Sequence, residues 1–434
     1  MQSNVEDLGA LARRLNVSIP HEKIETEIEN RLKRLARTAK VHGFRPGKVP
    51  LKIIAQQYGP QVRQEVVGDV LQQNFTEAIR EQNLRVAGHP QFEPKPGADD
   101  ASRFEFSATF EVYPEVVPGE LNGVRIERPV VEVTESDIDR TLGILRKQQA
   151  TYEAEDRPAA RGDRITLDYR GTLDGVEFAG GKAENVSIVL GEGKLLADFE
   201  APLEGMRAGD RKTFDVTFPA DYHGKEVAGK TATFEVRLGG VEGIRLPEVD
   251  AGFARVLGVP DGNTDTMREE IRANLKREIL KRTQAKIKER VMQALLDATA
   301  IQTPKVLVER ELERLLQEAR SDFESRGVSA RDVPLPQDLF REQAQRRVSL
   351  GLILAEVVKA NGLKARPEEV RAVVEDVAQS YEDPEEVIRW HYASPERLHE
   401  VESAVLEDNV VAWVLERVTV SDRPMTLDEL MGRA

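Results

Sequence analysis

The chain reads as a multidomain α+β protein: an N-terminal α+β domain, a small antiparallel-sheet domain and an all-α C-terminal domain. Three observations predict this. A length of 434 residues exceeds one ordinary core and suits about three domains. Alternation of apolar residues, the mark of half-buried strands, occurs strictly over 104–112 and again in three short runs between 165 and 238. From Pro247 onward the pattern changes to stripes at helical spacing. A composition of 32% charged and 5% aromatic residues suits long exposed helices better than one large globule.

Residues 10–19 have the pattern of a strand ending at Pro20. Ile24, Ile28, Leu32, Leu35 and Ala39 then make one helical stripe, which leaves the cations on the other faces. Gly43 is placed to end that helix. Val62, Val66 and Val70, continued by Leu71, Phe75 and Ile79, mark a second helix. Phe104, Phe106, Ala108, Phe110 and Val112 alternate as a strand, and the first domain, 1–113, closes near Tyr113-Pro114.

Residues 114–150 read as a linker punctuated by Pro114, Pro118 and Pro129, with a short helix over 135–149 capped by Thr134. The sheet domain occupies 151–246. Its alternating runs are Ile165-Leu167-Tyr169, Phe214-Val216-Phe218 and Ala232-Phe234-Val236-Leu238, separated by Gly-rich turns. In 247–434, stripes begin at Met267, Val308, Val348, Val370 and Leu398, and prolines fall at the breaks. Their spacing is not constant, so no solenoid repeat is expected.

Composition excludes several functions. There is no cysteine, so there is no disulfide or thiolate metal site. The N-terminus lacks a signal pattern, and no window approaches the apolar length of a spanning helix. The expectation is a soluble cytoplasmic protein with no membrane partner. The six histidines form no H-x-x-x-H pair, and there is no G-x-S-x-G elbow or P-loop. No metal, cofactor or ATP use is expected.

The charge is uneven. The formal net charge is -14, yet residues 31–52 hold eight cations and no acid: Arg31, Lys33, Arg34, Arg37, Lys40, Arg45, Lys48 and Lys52. At their centre lies Gly43-Phe44-Arg45-Pro46-Gly47-Lys48-Val49-Pro50, a turn sequence that leaves a ring and two cations projecting. Such a loop suits RNA, which offers phosphates and stackable bases together. An acidic body with one basic patch approaches such a surface in one orientation.

The GFRPGKVP octapeptide on a long helix near the N-terminus resembles the ribosome-docking signature of the bacterial trigger factor family. The resemblance implies that Gly43, Phe44, Arg45, Pro46, Gly47 and Lys48 form the docking segment, with Phe44, Arg45 and Lys48 as contacts. The partner implied is the large ribosomal subunit, protein and RNA, beside the tunnel exit. Nascent and unfolded polypeptides are implied as clients, as is a homodimer off the ribosome.

Residues 161–242 resemble the FKBP-type peptidyl-prolyl isomerases. The matching pieces are RGDRITLDYRGTLDGVEF, LGEGKLLADFEAPLEGMRAGD, FPADYHG and GKTATFEV, in that order. Carried over, the resemblance implies a pocket of Tyr169, Phe178, Leu195, Leu196, Phe199, Tyr222 and Phe234. Those residue types fit the chemistry. Rotation about a peptide bond faces a barrier of ~18–20 kcal/mol because resonance is lost. Before proline the cis form lies only ~0.5–1 kcal/mol above trans, yet exchange takes tens of seconds or more. No nucleophile is needed to speed it. A dry aromatic cradle can hold the ring while the carbonyl twists, and an apolar surround weakens the charge-separated resonance form. A hydroxyl such as that of Tyr222 could hold the carbonyl oxygen. For Phe234 a core role and a pocket role serve equally. Ala179 stands where single-domain relatives usually have an acid, and Asp198 where glycine is common. Weak binding of macrolide inhibitors is therefore expected.

Residues 247–434 resemble the trigger factor C-terminal domain, including LPQDLFREQAQRRVSLGLILAEVVKANGLKA and YEDPEEVI, so projecting arms are implied. Narrow stripes leave apolar patches that hold unfolded segments weakly without an energy source. Met267, Leu312, Phe323 and Val348 are candidate client contacts, and a plain bundle with internal stripes is the alternative. The function expected is an ATP-independent chaperone that docks at the ribosome and isomerises X-Pro bonds. A free cytosolic isomerase and a ribosome-independent holdase are the rivals.

Overall fold

The computed structural model describes the chain apart from residues 1, 43, 45–47, 95–102, 223, 225, 327–334 and 434. Contacts divide it into two compact units, Met1–Arg128 with Ala285–Arg423, and Pro129–Gln284 with Pro424–Ala434. The expected helical segment 247–434 therefore contributes to both units. A 35-residue helix over Thr264–Ala298 runs through the division; at about 1.5 Å per residue it is some 50 Å long, more than one core covers.

The first unit opens with strands β1 (Gln2–Asp7) and β2 (Ala12–Pro20), then helices α1 (His21–Thr38) and α2 (Leu51–Glu81), then β3 (Val86–Pro94) and β4 (Arg103–Val112). The antiparallel sheet has the order β1-β2-β4-β3. Leu15, Val17 and Ile19 alternate inward with Phe106, Ala108 and Phe110, and the predicted stripes of α1 and α2 pack in the same core. Gly43 does not end α1. The helix stops at Thr38, and Ala39 turns extended at φ -64°, ψ 135°. That turn keeps Ala39 in the core, so tertiary burial ends the helix before the glycine is reached.

Strand β5 (Arg125–Val130) follows, then α3 (Glu135–Gln148). Thr134 caps α3 as expected, in a reciprocal capping box with Asp137. The sheet domain comprises β6 (Thr151–Ala154), β7 (Arg164–Leu173), β8 (Val176–Val189), a one-turn helix α4 (Ala197–Glu200), β9 (Arg211–Thr217) and β10 (Thr231–Arg245). The order is β6-β10-β7-β8, with β9 also on β10. Thr151 pairs with Arg245, so the domain's two ends lie side by side. Asp163 is buried and takes both guanidinium nitrogens of Arg157, at 2.6 and 2.8 Å. That bond, more than any other cause, holds its carboxyl below the usual range.

The remaining elements are α5 (Ala251–Val256), α6 (Thr264–Ala298), α7 (Lys305–Ser325), α8 (Gln337–Asn361), α9 (Pro367–Ala378), α10 (Pro384–Tyr392), α11 (Pro395–Leu415), β11 (Thr419–Pro424) and α12 (Leu427–Met431). In the second unit, Ile138 and Leu142 of α3 pack with Phe253 of α5 and Met267 and Ile271 of α6. Further along α6, Ile279 packs with Leu427 and Leu430 of α12. In the first unit, α6, α8 and α11 share a core of Val291, Leu295, Ile353, Val357, Val410 and Val414, while α7 and α8 share another around Leu312 and Ala344. Helix α9 starts on a charged cap. Glu369 accepts from the Arg366 side chain, from the Arg366 backbone N–H at 3.0 Å and from Asn409 at 3.1 Å. These bonds lower its carboxyl to about 2, the Arg366 guanidinium contributing most.

Candidate functional site

The seven residues expected to form a pocket line one cavity of about 590 Å³ in the sheet domain. Their placement follows from local structure. Tyr169 comes from β7, Phe178 from β8, and Phe234 from β10. Leu195, Leu196 and Phe199 surround the short helix α4, whose first turn closes by Phe199 N–H donating to the Leu196 carbonyl at 2.9 Å. Tyr222 sits on the loop after β9.

Phe234 is the hub. Its ring centroid lies 5.1 Å from Phe199, 6.0 Å from Tyr169 and 6.1 Å from Phe178. Phe199 and Phe178 meet it edge-on, at 87° and 84°, the arrangement ring quadrupoles favour. Phe199 and Phe234 are buried and make the floor, while Tyr169, Phe178, Leu195, Leu196 and Tyr222 are half-buried walls. Phe234 thus fills both of the roles left open for it. Gly171 is its cross-strand partner, and a Cβ there would stand 2.6 Å from the ring. Glycine is what lets the floor ring lie against the strand.

Sequence reasoning missed Phe218. Its ring lies 4.8 Å from Tyr222 and 6.2 Å from Phe178, inside the cavity wall. The alternation through Phe214 and Val216 had marked it as a strand residue. Strand β9 ends at Thr217, however, and Phe218 follows where the chain leaves the sheet. Val186 and Ile188 were also missed, because their whole strand, β8, carries no clean alternation. Ala179 lines the cavity and brings no polar atom to it, while Asp198 is exposed on α4.

The basic loop joins α1 to α2. Of the expected docking segment, Phe44 and Lys48 are described and exposed, Phe44 at 38%. Gly43, Arg45, Pro46 and Gly47 lie outside the described residues. Buried Ala39 and Val49 pin the two sides of the loop to the core, and the Pro50 carbonyl accepts from Ile53 at 3.0 Å to start α2. On α1, Lys33 pairs with Glu29 at 2.6 Å and Arg31 lies 3.7 Å from Glu65. Arg34, Arg37, Lys40, Lys48 and Lys52 have no carboxylate within ion-pair reach among the described residues.

Two candidate client contacts are corrected. Met267 and Leu312 are buried in cores, since each lies on the part of its stripe that packs against neighbouring helices. Phe323 and Val348 are half-buried. A cluster of exposed aromatic residues lies elsewhere, at Tyr381 (58%), Trp390 (56%) and Tyr392 (47%), between the end of α9 and the end of α10. The Arg397 guanidinium stacks 4.0 Å over the Trp390 ring. Their signal was available: three of the chain's few aromatics fall within twelve positions. Among the described residues no helix is long and apolar enough to cross a membrane.

Comparison with known proteins matches these regions in order. Residues 1–145 match the family described as bacterial trigger factor protein, and 263–416 the bacterial trigger factor C-terminus. Residues 155–239 match FKBP-type peptidyl-prolyl cis-trans isomerase. The trigger factor of Nitrosospira multiformis is 66% identical, with 100% of both chains covered. Those of Aromatoleum aromaticum and Nitrosomonas europaea are 51% and 52% identical, covering 100% of this chain and 100% and 98% of theirs.

Proposed function

The chain belongs to the bacterial trigger factor family and is a molecular chaperone with an FKBP-type peptidyl-prolyl isomerase domain; from that premise we propose which residues do the work and on what. The isomerase site is the cavity walled by Tyr169, Phe178, Leu195, Leu196, Phe199, Tyr222 and Phe234. The observation that carries this is the convergence of all seven on one apolar space, five of them aromatic, in a chain with only 5% aromatic residues. The proline ring enters over the Phe199 and Phe234 floor. The preceding carbonyl then twists in a surround that favours its uncharged resonance form, and the Tyr222 hydroxyl is assigned to receive the oxygen.

Docking is assigned to 43–48, on the large ribosomal subunit near the tunnel exit. The exposed Phe44 ring, following in sequence on the α1 cations that have no acidic partner among the described residues, supports this reading. So does the family. Cytoplasmic residence and a homodimer away from the ribosome belong to the same reading, as do domain limits of 1–113, 151–246 and 247–434 joined by linker 114–150. Clients rest on the aromatic surface of Tyr381, Trp390 and Tyr392.

The test is co-sedimentation with ribosomes. Phe44→Ala, Arg45→Ala and Lys48→Ala together should remove binding, and wild-type binding should weaken steeply with salt. The exposed loop carries little stability, so the fold should persist. A triple variant that still pellets at wild-type affinity refutes the loop assignment.

A further inference from the structure

The walls of the cavity in the sheet domain carry a single charge. Of the described residues that line it, only Lys194 has an ionised side chain. The others bring aliphatic or aromatic carbon, a glycine backbone, or the hydroxyls of Tyr169 and Tyr222. Ala179 supplies no carboxylate to the walls, and Asp198, though on α4, is not one of them.

The place of Lys194 is fixed by local structure. It follows the turn Gly191-Glu192-Gly193, in which both glycines take positive φ, 88° and 67°. The buried Glu200 carboxylate accepts the Gly191 N–H, so this turn is tied to the helix that carries Phe199. From Lys194 the chain runs straight into the Leu195 and Leu196 walls. The Lys194 side chain is 74% exposed, which puts the ammonium in solvent at the rim and not on the floor. Its one carboxylate partner among the described residues is Glu192, at 2.6 Å, and Glu192 is not a wall. An ammonium has three donors, so two stay open to a bound chain.

We propose that Lys194 selects substrates, so that this site favours prolines whose immediate neighbour in the chain is Glu or Asp. This rests on the reading of the cavity as the isomerase site and adds a substrate class to it. With the proline ring on the floor of Phe199 and Phe234, the next residue in either direction lies about 3.3–3.6 Å further along an extended chain. The flexible four-carbon stem of a lysine at the rim lets its ammonium meet a carboxylate at either place. The other walls are uncharged and do not sort neighbours by sign, so this one cation does. Water screens the ammonium and Glu192 competes for it, so the preference is small, about threefold. The partner carboxylate belongs to a side chain outside the twisting bond. The contact is made equally in ground state and transition state, and the preference therefore appears in KM rather than kcat.

The experiment follows cis-trans exchange by NMR with the full chain and peptides with blocked termini. Ala-Glu-Pro-Phe, Ala-Gln-Pro-Phe and Ala-Lys-Pro-Phe vary the residue before proline; Ala-Ala-Pro-Glu and Ala-Ala-Pro-Gln vary the residue after it. Wild type should show kcat/KM about threefold higher for Glu than for Gln in one or both orders, fading at high salt. Lys194→Gln should bring that ratio to one, whatever it does to the absolute rates, and Lys194→Arg should keep it. Lys194→Glu should turn the preference toward the Lys peptide, a reversal that a merely structural role would not produce. Glu192→Gln should raise the ratio about twofold further, because it frees the ammonium. A ratio unchanged in Lys194→Gln overturns the proposal. So does a ratio lost instead in Lys225→Gln, a cation outside the described residues. Equal wild-type rates for Glu and Gln peptides in both orders overturn selection by Lys194 and leave the cavity as the isomerase site. No catalysed exchange of any peptide overturns the reading of the cavity itself.

Discussion

The sheet domain and the helices dispose of their aromatic residues in opposite ways. Around Phe234, rings turn inward on one another until they enclose a cavity. On α10 and the turn before it, Tyr381, Trp390 and Tyr392 are exposed. The difference agrees with the tasks proposed for the two regions. Twisting a single bond needs one dry, fixed space, which a sheet with strands on several sides can wall. Holding an unfolded chain needs several weak contacts acting together, and an open helical surface supplies them without committing to a shape.

The largest expected effect comes from separating the two regions. Deleting 151–245 should abolish isomerisation of a proline peptide and leave suppression of client aggregation, read by light scattering, unchanged. The paired ends Thr151 and Arg245 make a short rejoining feasible. Protection by the isolated sheet domain and none by the deletion variant would break the contrast.

Within the cavity, Phe199→Ala should slow proline-limited refolding by about tenfold, some 1.4 kcal/mol of barrier. It should also cost about 3–5 kcal/mol of stability, because the ring is buried among others. Tyr222→Phe should slow the reaction less, since the ring remains. An unchanged rate in Phe199→Ala would make the cavity a binding module only.

On the helices, Trp390→Ala with Tyr381→Ala should weaken protection of a client several-fold. Stability should move by no more than about 0.5 kcal/mol per substitution, because both rings are exposed. The opposite pattern, stability lost and protection kept, would mean those rings serve packing.

The smallest effect concerns pH. The Glu369 carboxyl is lowered from 4.5 to about 2 in the folded chain. Its contribution is therefore present above pH 4.5 and is lost as pH falls through about 2. The melting difference between wild type and Glu369→Gln should be constant near neutrality and vanish toward pH 2. A difference that grows on acidification would contradict the cap.

The α+β architecture and its three regions were legible, because alternation and helical spacing are written directly in Phe104–Val112 and in Ile24–Leu32. What escaped had physical reasons. Strand β8 pairs on one edge only and bulges twice against β7, so it shows no clean period. Strand β1 is short and polar, QSNVED. Gly43 misled because a glycine marks where a helix can end, whereas burial of Ala39 decides where it does. Seven residues of the cavity lining were legible, since short motifs carry residue types in order. Phe218 was lost because alternation says which face a residue takes and nothing of where its strand stops. For Met267 and Leu312 a stripe was visible, but only tertiary packing shows which stripes stay covered.

Strand β10 has a bearing on the order in which this chain comes into being. It pairs with β6, β7 and β9, and it is the last strand of its domain to be made. Until residue 245 has emerged, β6 at residue 151 has no partner, and Phe234, the hub of the cavity, is not yet in place. Closing so long a loop carries an entropic cost that nearest-neighbour helices avoid. The domain that speeds slow steps in other chains is thus, during its own synthesis, incomplete until its last strand is made.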